Sequence, residues 1–195
     1  MARIKIGLCG HGYWGQNLFR TFSNDPGFDL VAVFDIRGSA REKARRTKGA
    51  IRLYEDAAEL IEDPNIEAVA IATPATSHFS LARRALLRDK HVLVEKPMCA
   101  SLAEAKELVA LAEKYGTTLM VDHTYLFHGV VQKLRQLRRK DALGAISYYD
   151  SLRVNLGLFQ PDLNVLWDLG PHDSRSWIIS STKIRFMSRR PVIAT

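Results

Sequence analysis

Short apolar runs alternate with segments of helical period along the first 122 residues, and few folds accommodate that order. The runs are rich in Val, Ile and Leu on both faces, as expected for parallel strands covered by helices on both sides. Predicted strands are residues 4–9, 30–35, 68–73, 91–95 and 118–122, and predicted helices are residues 16–22, 40–47, 57–62, 79–88 and 102–115. The pattern predicts an α/β fold, a doubly wound parallel Rossmann sheet over residues 1–122.

The alternation of apolar runs and helical segments ends after residue 122, where we expect a second domain to begin. A helix over 130–139, a turn at Gly144 and an alternating strand over 146–155 predict the start of an α+β substrate domain spanning residues 123–173. Only about 40 residues follow that strand, too few for the further strands and the helix that such a sheet needs. We therefore expect this domain to be incomplete and the chain to be truncated at its carboxyl end.

Residues 174–195 form a basic tail that differs in composition from the rest of the chain. They contain five basic and no acidic side chains and supply +5 of the net charge of +7. The first 173 residues are therefore nearly neutral, and we expect no nucleic-acid partner. Two interpretations of the tail stay open: an out-of-frame read of the gene, or a naturally diverged protein.

The cysteine content and the apolar pattern indicate the cellular setting. Cys9 and Cys99 lie far apart and are too few for a disulfide framework, which indicates a reducing compartment. The amino terminus does not have the pattern of a secretory signal, and no stretch approaches the 18 to 20 apolar residues of a membrane helix. We expect a soluble, cytoplasmic protein without a membrane partner.

A glycine-rich turn follows the first predicted strand and opens the first helix, with the sequence Gly10-His11-Gly12-Tyr13-Trp14-Gly15. Gly10 permits a tight turn, Gly12 lets the backbone approach a diphosphate, and Gly15 lets the helix pack closely on the strand. The helix amino terminus adds amides and a partial positive charge. Asp35 closes the second strand 20 residues beyond Gly15, where a carboxylate can accept hydrogen bonds from a ribose. These features together predict a dinucleotide-binding site.

The residues at the end of the second strand bear on the choice of cofactor. Asp35 favours NAD over NADP, because a carboxylate repels a 2′-phosphate. Ile36 and Arg37 follow it, and the Arg37 guanidinium could bind such a phosphate, although we expect Arg37 to be a solvated loop cation. The prediction is NAD, with NADP left open, and with Ile36 and Arg37 beside the cofactor.

Three further segments follow later strands, at the edge where open parallel sheets bind ligands. The first segment contains Ala72, Thr73, Pro74 and His78, the second is Glu95-Lys96-Pro97, and the third is Asp122-His123. The second segment places an ammonium group at the edge of the nicotinamide cleft, and its alternative interpretation is a surface lysine. We interpret His11, His91, His123 and His128 as loop or surface residues, with His123 able to face a substrate.

Four motifs in order resemble the Gfo/Idh/MocA oxidoreductases, a family named after glucose-fructose oxidoreductase and inositol dehydrogenase. They are residues 10–15, Ala-Thr-Pro at 72–74 with His78, Glu-Lys-Pro at 95–97, and Trp-Asp-Leu-Gly-Pro-His-Asp at 167–173. The resemblance covers residues 4 to about 173, and residues 149–157 look like members that act on nucleotide sugars, such as UDP-N-acetylglucosamine 3-dehydrogenases. It implies hydride transfer between NAD(P) and a secondary alcohol of a sugar, polyol or nucleotide sugar. We expect this chain to be a truncated form of such an enzyme, and both an active and an inactive form stay open. Full-length relatives often form homo-oligomers.

The resemblance implies three catalytic residues, Lys96, Asp168 and His172. Asp168 and His172 are four residues apart, so one helical turn puts both on the same face. Oxidation of an alcohol needs a base for the hydroxyl proton, and a histidine that titrates near neutrality suits that role. Lys96 would orient the hydroxyl and stabilise the developing alkoxide. No metal ligand set is predicted, because this hydride chemistry does not require one.

Structural interpretations of these residues stay open beside the catalytic ones. His172 could be a helix-start histidine with a local hydrogen bond, and Asp168 a carboxylate favoured by the helix dipole. Whether Asp168 and His172 are catalytic or structural, residues 10–15 and 95–97 are predicted to bind the cofactor. The residues are Gly10, Gly12, Tyr13, Trp14, Gly15, Glu95, Lys96 and Pro97. A non-catalytic nucleotide-binding module that senses cofactor or binds a partner protein is therefore the alternative to an enzyme.

Overall fold

The computed structural model of the chain describes residues 2–144, 150, 152 and 168–174. The chain divides into two compact units, one ending at Val121 and the other beginning at Asp122. The predicted strand over 146–155 lies almost wholly outside the described residues, as does the basic tail after residue 174. The three-part division at 122 and 173 therefore stays a prediction.

A six-stranded sheet organises the first unit, in the order β3-β2-β1-β4-β5-β6. The strands are β1 (Ile4–Cys9), β2 (Phe28–Phe34), β3 (Arg52–Tyr54), β4 (Ala68–Ile71), β5 (His91–Glu95) and β6 (Leu119–Asp122). The pairs β1–β2, β2–β3, β1–β4 and β4–β5 are parallel. This is the predicted doubly wound α/β fold, and its strand order reverses direction at β1, which places a ligand crevice at the carboxyl end of that strand.

Six helices connect and follow the strands, and most of their bounds lie close to those predicted from the sequence. They are α1 (Gly15–Asn24), α2 (Gly38–Thr47), α3 (Ala57–Glu62), α4 (His78–Leu86), α5 (Leu102–Tyr115) and α6 (Gly129–Arg139). Single 3₁₀ turns precede α4 and α6, at Ala75–Ser77 and Thr124–Phe127. Among the described residues, no helix has the length and apolar character needed to cross a bilayer.

The sheet buries an apolar layer on each face, because consecutive strand residues point to opposite sides. Helices α1 and α2 cover one layer, which contains Ile6, Leu8, Leu18, Phe19, Phe22, Leu30, Val33, Ala44, Ala68 and Ala70. Helices α3, α4 and α5 cover the other, which contains Leu60, Ile61, Val69, Ile71, Ala82, Leu86, Val92, Val94 and Leu108. This two-sided cover explains why the strands lack a polar face in the sequence.

Strand β3 was not predicted. It has three residues, of which Arg52 is exposed and Leu53 and Tyr54 are half-buried. Its backbone pairs with the end of β2 at the outer edge of the sheet. A short edge strand of this kind carries neither a long apolar run nor a clear alternation, so the sequence pattern does not reveal it.

The buried carboxylate of Asp63 lies near the amino-terminal ends of the strands and stabilises this part of the sheet. The Asp63 carboxylate accepts hydrogen bonds from the Tyr54 hydroxyl at 2.7 Å and from the backbone and side chain of Asn65 at 2.8 and 2.9 Å, and it pairs with Arg52. Buried Lys90 donates to the Asp63 carbonyl at 2.9 Å. Burial alone would raise the pKa of the Asp63 carboxyl, but these hydrogen bonds and the Arg52 charge lower it below its ordinary value. The cluster thus stabilises the loop that leads into β4.

We expect Asp63→Asn to lower the free energy of unfolding at pH 7 by about 1–3 kcal/mol, because charge-assisted hydrogen bonds are lost. A folded-state pKa below the unfolded one adds stability above the unfolded pKa, and that stability disappears as pH falls through the folded pKa. The variant should therefore show a shallower loss of stability below about pH 5. Urea unfolding from pH 7 to pH 3 measures both effects.

The control is Asp89→Asn, at an exposed position with a φ of 55° that asparagine tolerates. It should unfold like the unaltered chain at every pH. An Asp63→Asn variant with the same acid dependence as this control would contradict the assignment.

Candidate dinucleotide-binding site

The first glycine of the turn is held against the neighbouring strands. Gly10 has a φ of 94°, and a Cβ at this position would lie 2.6 Å from the Ala72 carbonyl oxygen. Its amide donates to the Phe34 carbonyl at the end of β2, at 2.7 Å, and the Ala72 amide donates to the Cys9 carbonyl at 2.8 Å. Only glycine fits this backbone conformation at this distance. The turn therefore begins at the junction of β1, β2 and β4.

Two further glycines differ in what surrounds them. A Cβ on Gly15 would overlap the Gly10 carbonyl oxygen, so α1 packs directly on the turn. A Cβ on Gly12 would meet only one atom within 4 Å, the Arg37 Nη2 at 3.7 Å. Gly12 is thus not required by the protein's own packing, and the space it leaves open lies at the amino end of α1. Trp14 at the N-cap makes no side-chain capping hydrogen bond.

The Asp35 carboxylate is surrounded by donors at the end of β2. The His11 amide donates to Oδ2 at 2.8 Å and the Arg37 amide to Oδ1 at 2.9 Å. The Arg37 guanidinium is bidentate, with Nε and Nη2 each 3.1 Å from a carboxylate oxygen. Burial alone would raise the pKa of Asp35, but the hydrogen bonds from Arg37 and His11 lower it. Asp35 is therefore a carboxylate at neutral pH, with its side chain 6% exposed.

Arg37 is exposed, as expected for a solvated loop cation, but its guanidinium is also paired with Asp35. Its side chain is 59% exposed, yet the guanidinium is fixed by Asp35 and lies beside the open space at Gly12. The cause is local geometry, since a residue two positions beyond an aspartate can reach back to it with both backbone and side chain. The pair cancels the charge of Asp35, and the guanidinium can turn toward an anion.

Two residues that hold the loop around Asp35 in place were not predicted from the sequence. His11, expected at the surface, is 3% exposed, and its Nδ1 lies 2.9 Å from the Ala40 carbonyl in α2. Burial lowers the pKa of His11, so the ring is neutral at pH 7 and the proton on Nδ1 is donated to Ala40. Arg41 donates to the Asp35 carbonyl at 2.8 Å and pairs with Glu55. The His11 contact joins the turn after β1 to α2, and the Arg41 contact joins the end of β2 to α2. Motif spacing does not indicate which carbonyl in another element a side chain reaches.

The loop after β4 contains the predicted residues Ala72, Thr73, Pro74 and His78. Ala72 and Thr73 are half-buried and Pro74 is exposed, so this edge can face a cofactor. His78 is different, because it is 1% exposed, with both ring nitrogens 2.8 Å from backbone carbonyl oxygens. The ring is enclosed by the loops themselves, and direct contact of His78 with a cofactor stays a prediction.

The residues Glu95-Lys96-Pro97 lie at the end of β5, the strand next to β4. Glu95 is buried and Lys96 is half-buried, and the Lys96 amide donates to Glu95 Oε2 at 3.2 Å. The peptide bond between Lys96 and Pro97 is cis. Lys96 thus leaves the sheet at the same edge as the glycine turn, where parallel strands present ligand-binding residues.

The second unit holds the other two predicted catalytic residues. Residues 168–174 are helical, which confirms that Asp168 and His172 share a helix. His172 is 8% exposed, and the Tyr125 ring lies against it, with 4.3 Å between ring centroids and an angle of 31°. No group of three His, Cys, Asp or Glu side chains in the described residues is arranged to hold a metal.

The first unit fits a bound dinucleotide. The open space at Gly12 faces the start of α1, where backbone amides and the helix dipole suit a diphosphate. Asp35 and Arg37 lie where an adenosine ribose is recognised. Tyr13 and Ile36 add exposed apolar surface beside them, at 78% and 83% exposure.

Comparison with known proteins gives the same assignment. A Gfo/Idh/MocA family model, described as an oxidoreductase family with an NAD-binding Rossmann fold, matches residues 4–123. D-apiose dehydrogenase of Paraburkholderia graminis is 29% identical over 88% of this chain and 48% of its own length. UDP-N-acetylglucosamine 3-dehydrogenase of Acidithiobacillus ferrooxidans is 30% identical over 89% of this chain and 53% of its own length.

A solved structure of an oxidoreductase from Klebsiella pneumoniae superposes with a TM-score of 0.75 at 30% identity, over 90% of this chain and 49% of that one. The chain thus spans about half the length of the curated relatives it matches. The family model covers the glycine turn, Asp35 and Lys96, the residues that form the ligand-binding edge. The chain belongs to the Gfo/Idh/MocA family of NAD-binding oxidoreductases.

Proposed function

We propose that this chain is part of an NAD(P)-dependent oxidoreductase acting on a secondary alcohol of a sugar, polyol or nucleotide sugar. The observation that carries the proposal is the glycine turn, with its open position at Gly12 beside the Asp35–Arg37 pair. The names of two relatives, D-apiose dehydrogenase and UDP-N-acetylglucosamine 3-dehydrogenase, support this substrate class.

The chain's own residues bind the cofactor in three places. Backbone amides at the start of α1 bind the diphosphate, because the helix dipole and the absent Cβ at Gly12 favour an anion close to the backbone. Asp35 accepts from the ribose hydroxyls of NAD once the Arg37 side chain turns away. With NADP, Arg37 takes the 2′-phosphate instead. Ala72, Thr73 and Pro74 border the nicotinamide end.

The bound nicotinamide supplies a hydride acceptor at C4. His172 accepts the proton of the substrate hydroxyl while the hydride leaves the carbon that bears this hydroxyl. The C–H and O–H bonds break and a carbonyl forms. Lys96 donates a hydrogen bond to the substrate oxygen and stabilises its developing negative charge. Asp168, one turn before His172, favours the imidazolium that results.

We expect the chain to oxidise at least one compound in a panel of polyols, sugars and nucleotide sugars with NAD. His172→Ala and Lys96→Met should each lower kcat by about 10²-fold or more, because a general base or an electrophilic group is lost. The NADH affinity of His172→Ala, measured by calorimetry, should stay within about threefold.

His91→Ala is the control, since His91 is exposed at the amino end of β5. Turnover that survives His172→Ala would remove His172 as the base. Cofactor binding without turnover on any compound of the panel would favour the non-catalytic module.

We expect Gly12→Ala to weaken NADH binding by at least about tenfold, because the methyl group occupies the space for the diphosphate. Its free energy of unfolding should stay within about 0.5 kcal/mol, since the nearest atom is 3.7 Å away. Gly15→Ala should instead lower that free energy by about 1–3 kcal/mol through overlap with the Gly10 carbonyl. Calorimetric titration and urea unfolding separate the two effects.

Gly49→Ala serves as the control, because nothing lies within 4 Å of an added Cβ there. A Gly12→Ala chain that binds NADH like this control would show that the diphosphate does not approach the turn.

We expect Arg37→Leu to weaken NADPH binding by about 10- to 100-fold, the worth of charge-assisted hydrogen bonds to a phosphate. NADH binding should not weaken, because Asp35 is then released for the ribose. The matched control is Arg45→Leu, since Arg45 has the same 59% side-chain exposure but lies on α2. Fluorescence titration with both cofactors measures the ratio, and equal weakening of the two would contradict a role for Arg37 in the choice of cofactor.

A further inference from the structure

His78 joins two loops at the cofactor edge of the sheet. Its Nε2 lies 2.8 Å from the Thr73 carbonyl oxygen, in the loop that follows β4. Its Nδ1 lies 2.8 Å from the Pro97 carbonyl oxygen, in the loop that follows β5. The ring is 1% exposed, so water does not compete for either nitrogen. The two loops carry the residues that border the nicotinamide end of the proposed cofactor site.

Both partners of the ring are carbonyl oxygens, which accept hydrogen bonds and cannot donate them. A neutral imidazole has one N–H and one nitrogen lone pair. Whichever ring nitrogen carries a proton donates it to the carbonyl oxygen 2.8 Å away, and the enclosed ring fills the space between the two loops.

The position of Pro97 connects this bridge to the proposed chemistry. Pro97 is buried and follows Lys96 directly, so its carbonyl fixes the backbone on one side of Lys96. On the other side, Lys96 continues from β5, which pairs with β4 over Ala68–Ile71. The Ser77 hydroxyl donates to the Thr73 hydroxyl at 2.7 Å and so holds the other end of the bridge.

We propose that His78 is a positioning residue, a buried ring that ties the β4 loop to the β5 loop and thereby sets the place of Lys96. The inference rests on the proposed function for the role of Lys96, but the bridge itself does not. No other common side chain replaces the ring easily. A glutamine places both of its N–H groups on a single nitrogen, so it does not reach two carbonyls on opposite sides.

The first experiment uses the full chain without cofactor. Nitrogen-15 spectra of the histidine ring at pH 7 should show a ring N–H group for His78 that is protected from exchange with water. The signal is assigned through the contacts of the ring with Thr73 and Pro97. A ring N–H group that exchanges freely with water would overturn the bridge without any variant being needed.

The second experiment measures the acylation rate of Lys96 by mass spectrometry, with and without saturating NADH. In the unaltered chain, NADH should slow this reaction. In His78→Gln, the protection should fall by about tenfold, as expected for a lost buried hydrogen bond, while the NADH dissociation constant changes by less than about threefold. His91→Gln is the matched control and should keep full protection.

The outcomes separate the two proposals. Equal protection of Lys96 in His78→Gln and the control would show that the bridge does not position Lys96. A chain that shows the protected ring N–H group but binds no NADH would contradict the proposed function and leave the bridge supported. If His78→Gln does not fold, His78→Asn takes its place in the acylation experiment, with the same expected loss of protection.

Discussion

The close approach of Gly10 to the Ala72 carbonyl is the constraint on which the rest of the site depends. Because this turn passes between β1 and β4 with no room for a side chain, the amino end of α1 is fixed at the point where the strand order reverses. Everything proposed for the cofactor follows from that placement. The open side of Gly12 and the carboxyl ends of β2, β4 and β5 then lie along one edge.

Charge at this edge is balanced within the chain. Asp35 meets Arg37 and two backbone amides, and so its carboxylate stays ionised although it is almost fully buried. An ion pair with one exposed partner is easier to open than a buried one, because water solvates the departing guanidinium. The carboxylate and the guanidinium can therefore separate, as the proposed binding of a ribose by one and a phosphate by the other requires.

Most of the fold was predicted from local patterns of apolar residues in the sequence. Apolar runs at β1 and β5 and the helical period of α3 and α5 gave bounds that match the structure. Spacing also placed the glycine turn, Asp35 and Lys96 at one edge, and put Asp168 and His172 on one helix. Strand β3 was missed because a three-residue edge strand has no period to detect.

The environment of individual side chains could not be predicted in the same way. His11, Arg37 and His78 each depend on partners in another element or on a precise loop path, such as Ala40 for His11 and Pro97 for His78. Sequence spacing gives no information on which carbonyl faces a ring nitrogen. The surroundings of these three side chains are known only from the three-dimensional structure.

The Asp63 cluster and the cofactor residues occupy opposite edges of the sheet. Arg52, Asp63 and Lys90 lie before strands β3, β4 and β5 or at their starts, whereas Asp35 and Lys96 follow strand ends. Mutations at sites without shared partners act nearly independently. Substitutions in the Asp63 cluster and at the Asp35–Arg37 pair should therefore change the stability of the sheet nearly additively.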